Sequence, residues 1–255
     1  MDIHSVLLTP EELKIRDEVR EFVKWVPHDL LKKMDREEID FPYEYDREVS
    51  KRNLIGLRFP KKWGGRDQKW TCECAAIEEI AVLGTALACQ YSLPSIVGEA
   101  INLFGNDMQK EKFLKPTLEG KLICAEALTE PRGGSDFFGC TTTARKDGNN
   151  YILTGAKRFI VGGKGADYFL VYVKTDPKAE PHKSISVMLV ERPANTTALV
   201  RRTGPISAAF SQLTSSRWCP GTIGSASAAP ELGIGCGAPL TLMPRIFASV
   251  GSVTG

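Results

Sequence analysis

The feature that most constrains this chain is a change of hydrophobic period near Gly120. Before it, apolar side chains recur with the spacing of helices. After it, they alternate with the period of strands. Helices first and strands afterwards, without alternation, predict an α+β chain of two successive units rather than βαβ repeats. The expected order is an all-helical domain over residues 1–120, then a small antiparallel β-barrel-like domain over residues 121–195.

The first unit opens on Thr9-Pro10-Glu11-Glu12. Thr9 suits an N-cap, Pro10 the first helical position and Glu12 the return bond of a capping box. Ile15, Val19, Phe22, Val23 and Val26 then form one apolar stripe, closed by Pro27. Further helices are expected over residues 45–53, 71–83 (stopped by Gly84) and 92–104. The last of these carries Ile96, Val97, Ala100, Ile101 and Phe104 on one side, and Gly105 ends it. Asn106 or Asp107 caps a short helix with Phe113, Leu114 and Leu118. The prolines and glycines of residues 56–65 exclude a long helix there.

In the second unit, residues 122–127, 168–174 and 185–190 read as strands. Residues 141–144 and 151–154 flank an Asp147-Gly148 turn and read as a hairpin. No GxGxxG follows a strand, so no Rossmann site is expected.

A formal net charge of +2 gives no electrostatic reason to expect nucleic acid or an anionic membrane as partner. No apolar run reaches the ~18 residues that span a bilayer, and the first residues lack a signal pattern. A cytoplasmic protein is the expectation. The seven cysteines form no CxxC pair and read as reduced thiols. The three histidines lack ligand spacing, so no metal is expected.

Residues 196–255 differ from the rest. They contain no Lys and no Asp, and Gly, Ala, Ser, Thr and Pro supply 36 of the 60. Low charge without periodicity predicts an irregular tail. It reads either as a flexible linker or as a shifted reading frame or assembly error. The switch to low-charge sequence at a single point, just after Val190-Glu191-Arg192-Pro193, favours the latter.

The most informative run is Cys124-Ala125-Glu126-Ala127-Leu128-Thr129-Glu130-Pro131-Arg132-Gly133-Gly134-Ser135-Asp136. A strand end passing into a Gly-rich loop gathers backbone N–H groups and hydroxyls, donors that suit a carbonyl-bearing heterocycle or a phosphate. The string resembles the signature of the acyl-CoA dehydrogenase family. So do Leu54-Ile55-Gly56-Leu57 with Pro60, Trp63, Gly64 and Gly65; Leu103-Phe104-Gly105 with Gln109, Lys110, Lys112, Leu114 and Pro116; and Gly155-Ala156-Lys157-Arg158-Phe159-Ile160 with Ala166-Asp167. Four motifs in register are far more specific than any one alone.

The resemblance implies FAD as cofactor, an acyl-CoA thioester as substrate and α,β-dehydrogenation as the reaction. Electron-transfer flavoprotein is the implied electron acceptor. It implies that the backbone from Glu126 through Ala127 and Leu128 to Thr129, with the Thr129 hydroxyl, faces the flavin ring, that Gly134 belongs to the cofactor site and that Ser135 reaches toward the flavin phosphate. Ser135 also reaches toward the acyl-CoA, while Phe159, Ile160 and Val161 cover the ring. Tyr91 would line the acyl pocket or else belong to the core. No arginine lies in residues 86–101, which disfavours a dicarboxylic acyl group.

Two departures follow. Val161 stands where the family carries a hydroxyl residue, which implies a tuned flavin interaction. The family's catalytic base is a glutamate of a C-terminal helical domain that 196–255 does not match, so no catalytic base is named. Glu130 reads as structural within its turn. The family is commonly oligomeric through that domain, so a homo-oligomer remains open. A flavin oxidase or monooxygenase, and a non-catalytic flavin- or acyl-CoA-binding module, are the alternatives.

Overall fold

The structure is a computed structural model describing residues 8–147, 150–192, 209–211 and 247–250, the last two segments by backbone alone. Helix α1 (Pro10–Trp25) starts as its sequence dictates. Thr9 accepts from the Glu12 amide at 3.3 Å, and Glu12 accepts from the Thr9 amide at 2.7 Å. Ile15, Val19 and Phe22 are buried, and Val23 packs beside them. A short helix, α2 (Leu30–Asp35), follows. Then come α3 (Tyr43–Lys51), α4 (Trp70–Ala81) and α5 (Thr85–Phe104).

Helix α5 begins at Thr85, not near Ser92. Residues 86–89 are good helix formers, and Pro94 is carried inside the helix. The apolar side expected on it is only half buried. Val97 and Ile101 are sealed in the core, whereas Ile96 and Phe104 are exposed. Gly105 ends the helix in extended rather than left-handed backbone. Asn106 closes a second capping box with Gln109, each side chain bonded to the other's amide at 2.9 Å. Helical turns then run to Leu118, with a π turn at Lys110–Leu114.

The strands are β1 (Cys124–Ala127), β2 (Thr143–Asp147), β3 (Asn150–Thr154), β4 (Lys157–Ile160), β5 (Tyr168–Lys174), β6 (Ile185–Glu191), β7 (Ala209–Ser211) and β8 (Phe247–Val250). The sheet runs β3-β2-β5-β6-β8, with β1 added beside β5, while β4 pairs with β7 separately. β2 and β3 form the expected hairpin, and β5–β6 is antiparallel. β1 and β2 instead lie parallel to β5, and β8 parallel to β6. The sheet is therefore mixed and open, where an antiparallel, barrel-like one was expected. Chain reversals through long loops bring β1 and β2 onto the same edge of β5 one after the other. β7 and β8 fall within the stretch expected to be irregular. The reading-frame question for residues 196–255 otherwise lies outside the described residues.

β5 is buried on both faces. Tyr168 and Leu170 join the helical core, with Cys124 and Leu189. Phe169, Val171 and Val173 join a second core with Ala125, Ala127, Leu153 and Ile160. The Tyr168 and Thr117 hydroxyls, 2.9 Å apart, tie the sheet to the last helical turns. Among the described residues no helix is long and apolar enough to cross a membrane.

Candidate functional site

Where β1 ends, Leu128 leads into a tight turn. The Glu130 amide donates to the Gly133 carbonyl at 3.1 Å, and the Gly133 amide returns a bond to Glu130 at 3.0 Å. Gly133 has φ +150, which favours glycine. Gly134 then passes so close to Thr129 that a Cβ there would lie 2.9 Å from its hydroxyl oxygen. Arg132 folds onto Asp136 at 2.8 Å, and Asp136 accepts from the Gly139 amide at 3.1 Å. Ser135 is left exposed on the outside of this loop, and Thr129 is half-buried beneath it. Among the described residues the Thr129 and Ser135 hydroxyls make no hydrogen bond.

The second segment is β4. Lys157 and Ile160 are buried, whereas Phe159 is 48% exposed and Val161 is exposed beside it. Phe159 has φ +58, a left-handed backbone that costs a bulky residue roughly 1–3 kcal/mol unless the surroundings hold it. This reversal breaks the alternation of the strand and turns the ring outward. The Arg158 guanidinium lies 4.4 Å from the ring centroid. Downstream, Gly162 (φ +67) sits against α5, where a Cβ would meet Gln90 Oε1 at 2.5 Å and Leu93 at 3.3 Å.

The two segments lie side by side. The Arg158 amide donates to the Thr129 carbonyl at 2.7 Å. Lys157 Nζ donates to the Leu128 carbonyl and to Glu130 Oε1, both at 3.0 Å. The Glu130 carboxylate also accepts from the Thr141 amide (2.7 Å), the Thr141 hydroxyl (2.6 Å), the Thr142 amide (2.8 Å) and the Cys140 thiol (3.1 Å). Burial alone would raise its pKa. The bonds from Thr141, Thr142 and Cys140 outweigh burial and hold it well below the usual carboxylate range. Burial and the nearby Glu130 push the Cys140 thiol up, so it stays protonated and donates.

The structure thus sets Leu128 and Thr129 against Lys157 and Arg158, with Gly134 against Thr129; Ser135 follows Gly134 in the loop, and Phe159 and Val161 follow Arg158 in the chain. Ala127 and Ile160 are buried as core. Glu126 is engaged by Tyr172, whose hydroxyl donates to it at 2.8 Å. Tyr91 is not brought to these segments. It is buried in the helical core with its hydroxyl on the Leu54 carbonyl at 2.8 Å. Sequence reasoning missed the partners of Glu130, namely Lys157, Cys140, Thr141 and Thr142. No local signal marks them, because the burial of Lys157 becomes visible only in the folded chain.

The residue types are compatible with a flavin: the Thr129 and Ser135 hydroxyls can serve carbonyl and phosphate oxygens, and Phe159 and Val161 are exposed apolar side chains. Glycine at 134 leaves the cradle open at Thr129.

Comparison with known proteins gives the family. The family described as "Acyl-CoA dehydrogenase, N-terminal domain" matches residues 9–121, and "Acyl-CoA dehydrogenase, middle domain" matches residues 125–214. The 3-(aryl)acrylate reductase of Clostridium sporogenes is 33% identical over 187 residues, 73% of this chain and 49% of that protein. Caffeyl-CoA reductase-Etf complex subunit CarC of Acetobacterium woodii is 35% identical over 179 residues, 69% of this chain and 47% of that protein. A glutaryl-CoA dehydrogenase of Mycobacterium smegmatis solved in complex with FADH2 superimposes with a TM-score of 0.71 at 25% identity, covering 84% of this chain and 54% of that one. The chain spans about half the length of the curated relatives it matches. With both domain matches in register, the chain belongs to the acyl-CoA dehydrogenase family.

Proposed function

We propose that this chain binds FAD between the Thr129 turn and the Phe159 strand and serves a flavin-dependent oxidation of an acyl-CoA thioester to its α,β-unsaturated product. The observation that carries this reading is the side-by-side placement of those segments, fastened by the Arg158–Thr129 and Lys157–Leu128 bonds. FAD, when bound, accepts the hydride that leaves the acyl β-carbon.

The chain's own residues would orient the reactants. Leu128, Thr129 and Ser135 offer polar contacts to the cofactor's carbonyl edge and phosphate. Phe159 and Val161 exclude water from its face. Glu126 to Thr129 and Phe159 to Val161 are the flavin segments of this proposal, with Gly134 providing the close approach and Ser135 the contact toward substrate. Neither Glu126 of β1 nor Glu130 of the turn is offered as the base that removes the α-proton. Glu130 is saturated with donors, and Glu126 is held by Tyr172. Electron-transfer flavoprotein is the proposed acceptor, supported by the Etf complex named for one relative. A cytoplasmic setting completes the proposal.

The test is an absorbance spectrum of the purified full chain after incubation with FAD, followed by anaerobic addition of a panel of acyl-CoAs. Retained flavin that bleaches with one of them supports the proposal. Retained flavin that no thioester reduces reassigns the chain to flavin binding without dehydrogenation. Fast reoxidation by air points to an oxidase. A colourless protein sinks the proposal.

Val161 provides a second check. Val161→Thr adds a hydroxyl at the ring edge, and one added hydrogen bond is worth about 0.5–1.5 kcal/mol. FAD titration should show binding tightened by roughly threefold to tenfold. Unchanged affinity and unchanged reduction potential would remove Val161 from the flavin contacts.

A further inference from the structure

We propose that Lys157 is the positioning residue of this site: its buried ammonium, shared between the Leu128 carbonyl and the Glu130 carboxylate, sets the spacing between the Thr129 turn and the Phe159 strand. The inference rests on the flavin reading for its consequence, but its geometry stands apart from it.

The two segments belong to different sheets. β1 pairs with β5, and β4 pairs with β7. Among the described residues no ladder joins β1 to β4, so regular pairing does not fix their relative position. One backbone bond does part of this, Arg158 to Thr129 at 2.7 Å. Lys157 does the rest. Its side chain is fully buried, and Nζ reaches Leu128 O and Glu130 Oε1 at 3.0 Å each, with Cys140 Sγ at 3.6 Å. Through Glu130 the same ammonium is coupled to Thr141 and Thr142, just before β2. One cation therefore gathers three separate stretches of chain.

Phe159 is bracketed by this clamp. On one side, residues 157 and 158 are anchored to residues 128–130. On the other, Gly162 is wedged against Gln90 and Leu93. A left-handed phenylalanine persists only where both flanks are held. A buried ion pair is a poor way to gain stability, since packed apolar groups of the same volume do as well or better. Its use here fits a requirement for position.

Without Lys157, Glu130 loses its buried cation but keeps its donors from Thr141 and Thr142, so the carboxylate stays hydrogen-bonded. The experiment is hydrogen exchange by mass spectrometry on the full chain, parent against Lys157→Met, together with FAD titration of both. Lys157→Gln, uncharged but still a donor, carries the comparison if the methionine variant is not recovered folded.

The expected result is exchange faster by about tenfold or more in peptides covering 128–136 and 157–163, unchanged exchange in 168–174 and 185–191, and FAD affinity weakened about tenfold. Unchanged exchange in the two site peptides overturns the proposal. So does a uniform rise across the chain, or failure of both variants to fold, since either marks a merely structural role. Localised exchange with unchanged FAD affinity overturns the link to the cofactor. A parent that takes up no FAD while the exchange pattern appears leaves the clamp standing and removes the flavin reading instead.

Discussion

Glu130→Ala is expected to lower the stability of the chain by about 3–5 kcal/mol, the range for breaking a buried pair by removing one partner. The Lys157 ammonium would keep the Leu128 carbonyl and the Cys140 sulfur at 3.6 Å but lose its counter-ion, and the amides of Thr141 and Thr142 would lose their acceptor. Thermal unfolding followed by circular dichroism should show a midpoint lower by about 10 °C. A loss under about 1 kcal/mol would mean that the cluster relaxes around the gap, and the account of Glu130 as the hub would fall. The pH dependence has a definite sign. The folded carboxylate is held below its ordinary value, so its contribution is present above about pH 4.5 and is lost as acid protonates it. Glu130→Ala should lack that acid limb.

The second large effect lies at Asp46, buried on α3. Burial, followed by the nearby charge of Asp167, raises its carboxyl to about 6, and the 3.2 Å bond from Gln90 Nε2 only partly offsets this. A carboxyl raised on folding stabilises below its unfolded value and withdraws that stabilisation as pH rises through the folded one. The window here runs from about pH 4 to about pH 6. Above it, the ionised group costs roughly 2–3 kcal/mol. Asp46→Asn stays neutral and keeps an oxygen for Gln90. The variant should therefore exceed the parent by that amount at pH 8 and match it near pH 4, as read from denaturant unfolding at both values. Equal stability at pH 8 would show that Asp46 ionises freely. The comparison also probes the site, because Gln90 links Asp46 to the Gly162 turn below Val161.

Much of this architecture was legible beforehand, and the reasons differ by element. The start of α1 was readable because capping is local: Thr9, Pro10 and Glu12 settle it among themselves. β5 was readable to the residue because Tyr168 to Val173 is an apolar run rich in aromatic and β-branched side chains, buried on both faces. The parallel partners of β5 were not readable. Which strands meet on one edge is decided by loops whose closure leaves no periodic mark. At the site, the turn at Thr129 and the strand at Phe159 were found through motifs. The ion pair between Glu130 and Lys157 was not, since it joins positions 27 apart through side chains alone. The left-handed backbone at Phe159 was equally hidden, because phenylalanine gives no sign of positive φ. Ile96 and Phe104 were grouped with Val97 and Ile101 on one apolar side by helical spacing, and that spacing cannot tell how much of the side is covered.

β5 has one more consequence. Its odd and even side chains feed two different interiors, so this strand is a single rivet through both halves of the molecule. A cut or a melt confined to the helical half would strip Tyr168 and Leu170 of their cover, and the strand that carries them would loosen beneath Phe169 and Val171. The helical and sheet halves should therefore unfold in one cooperative step, despite their separate origins in the sequence.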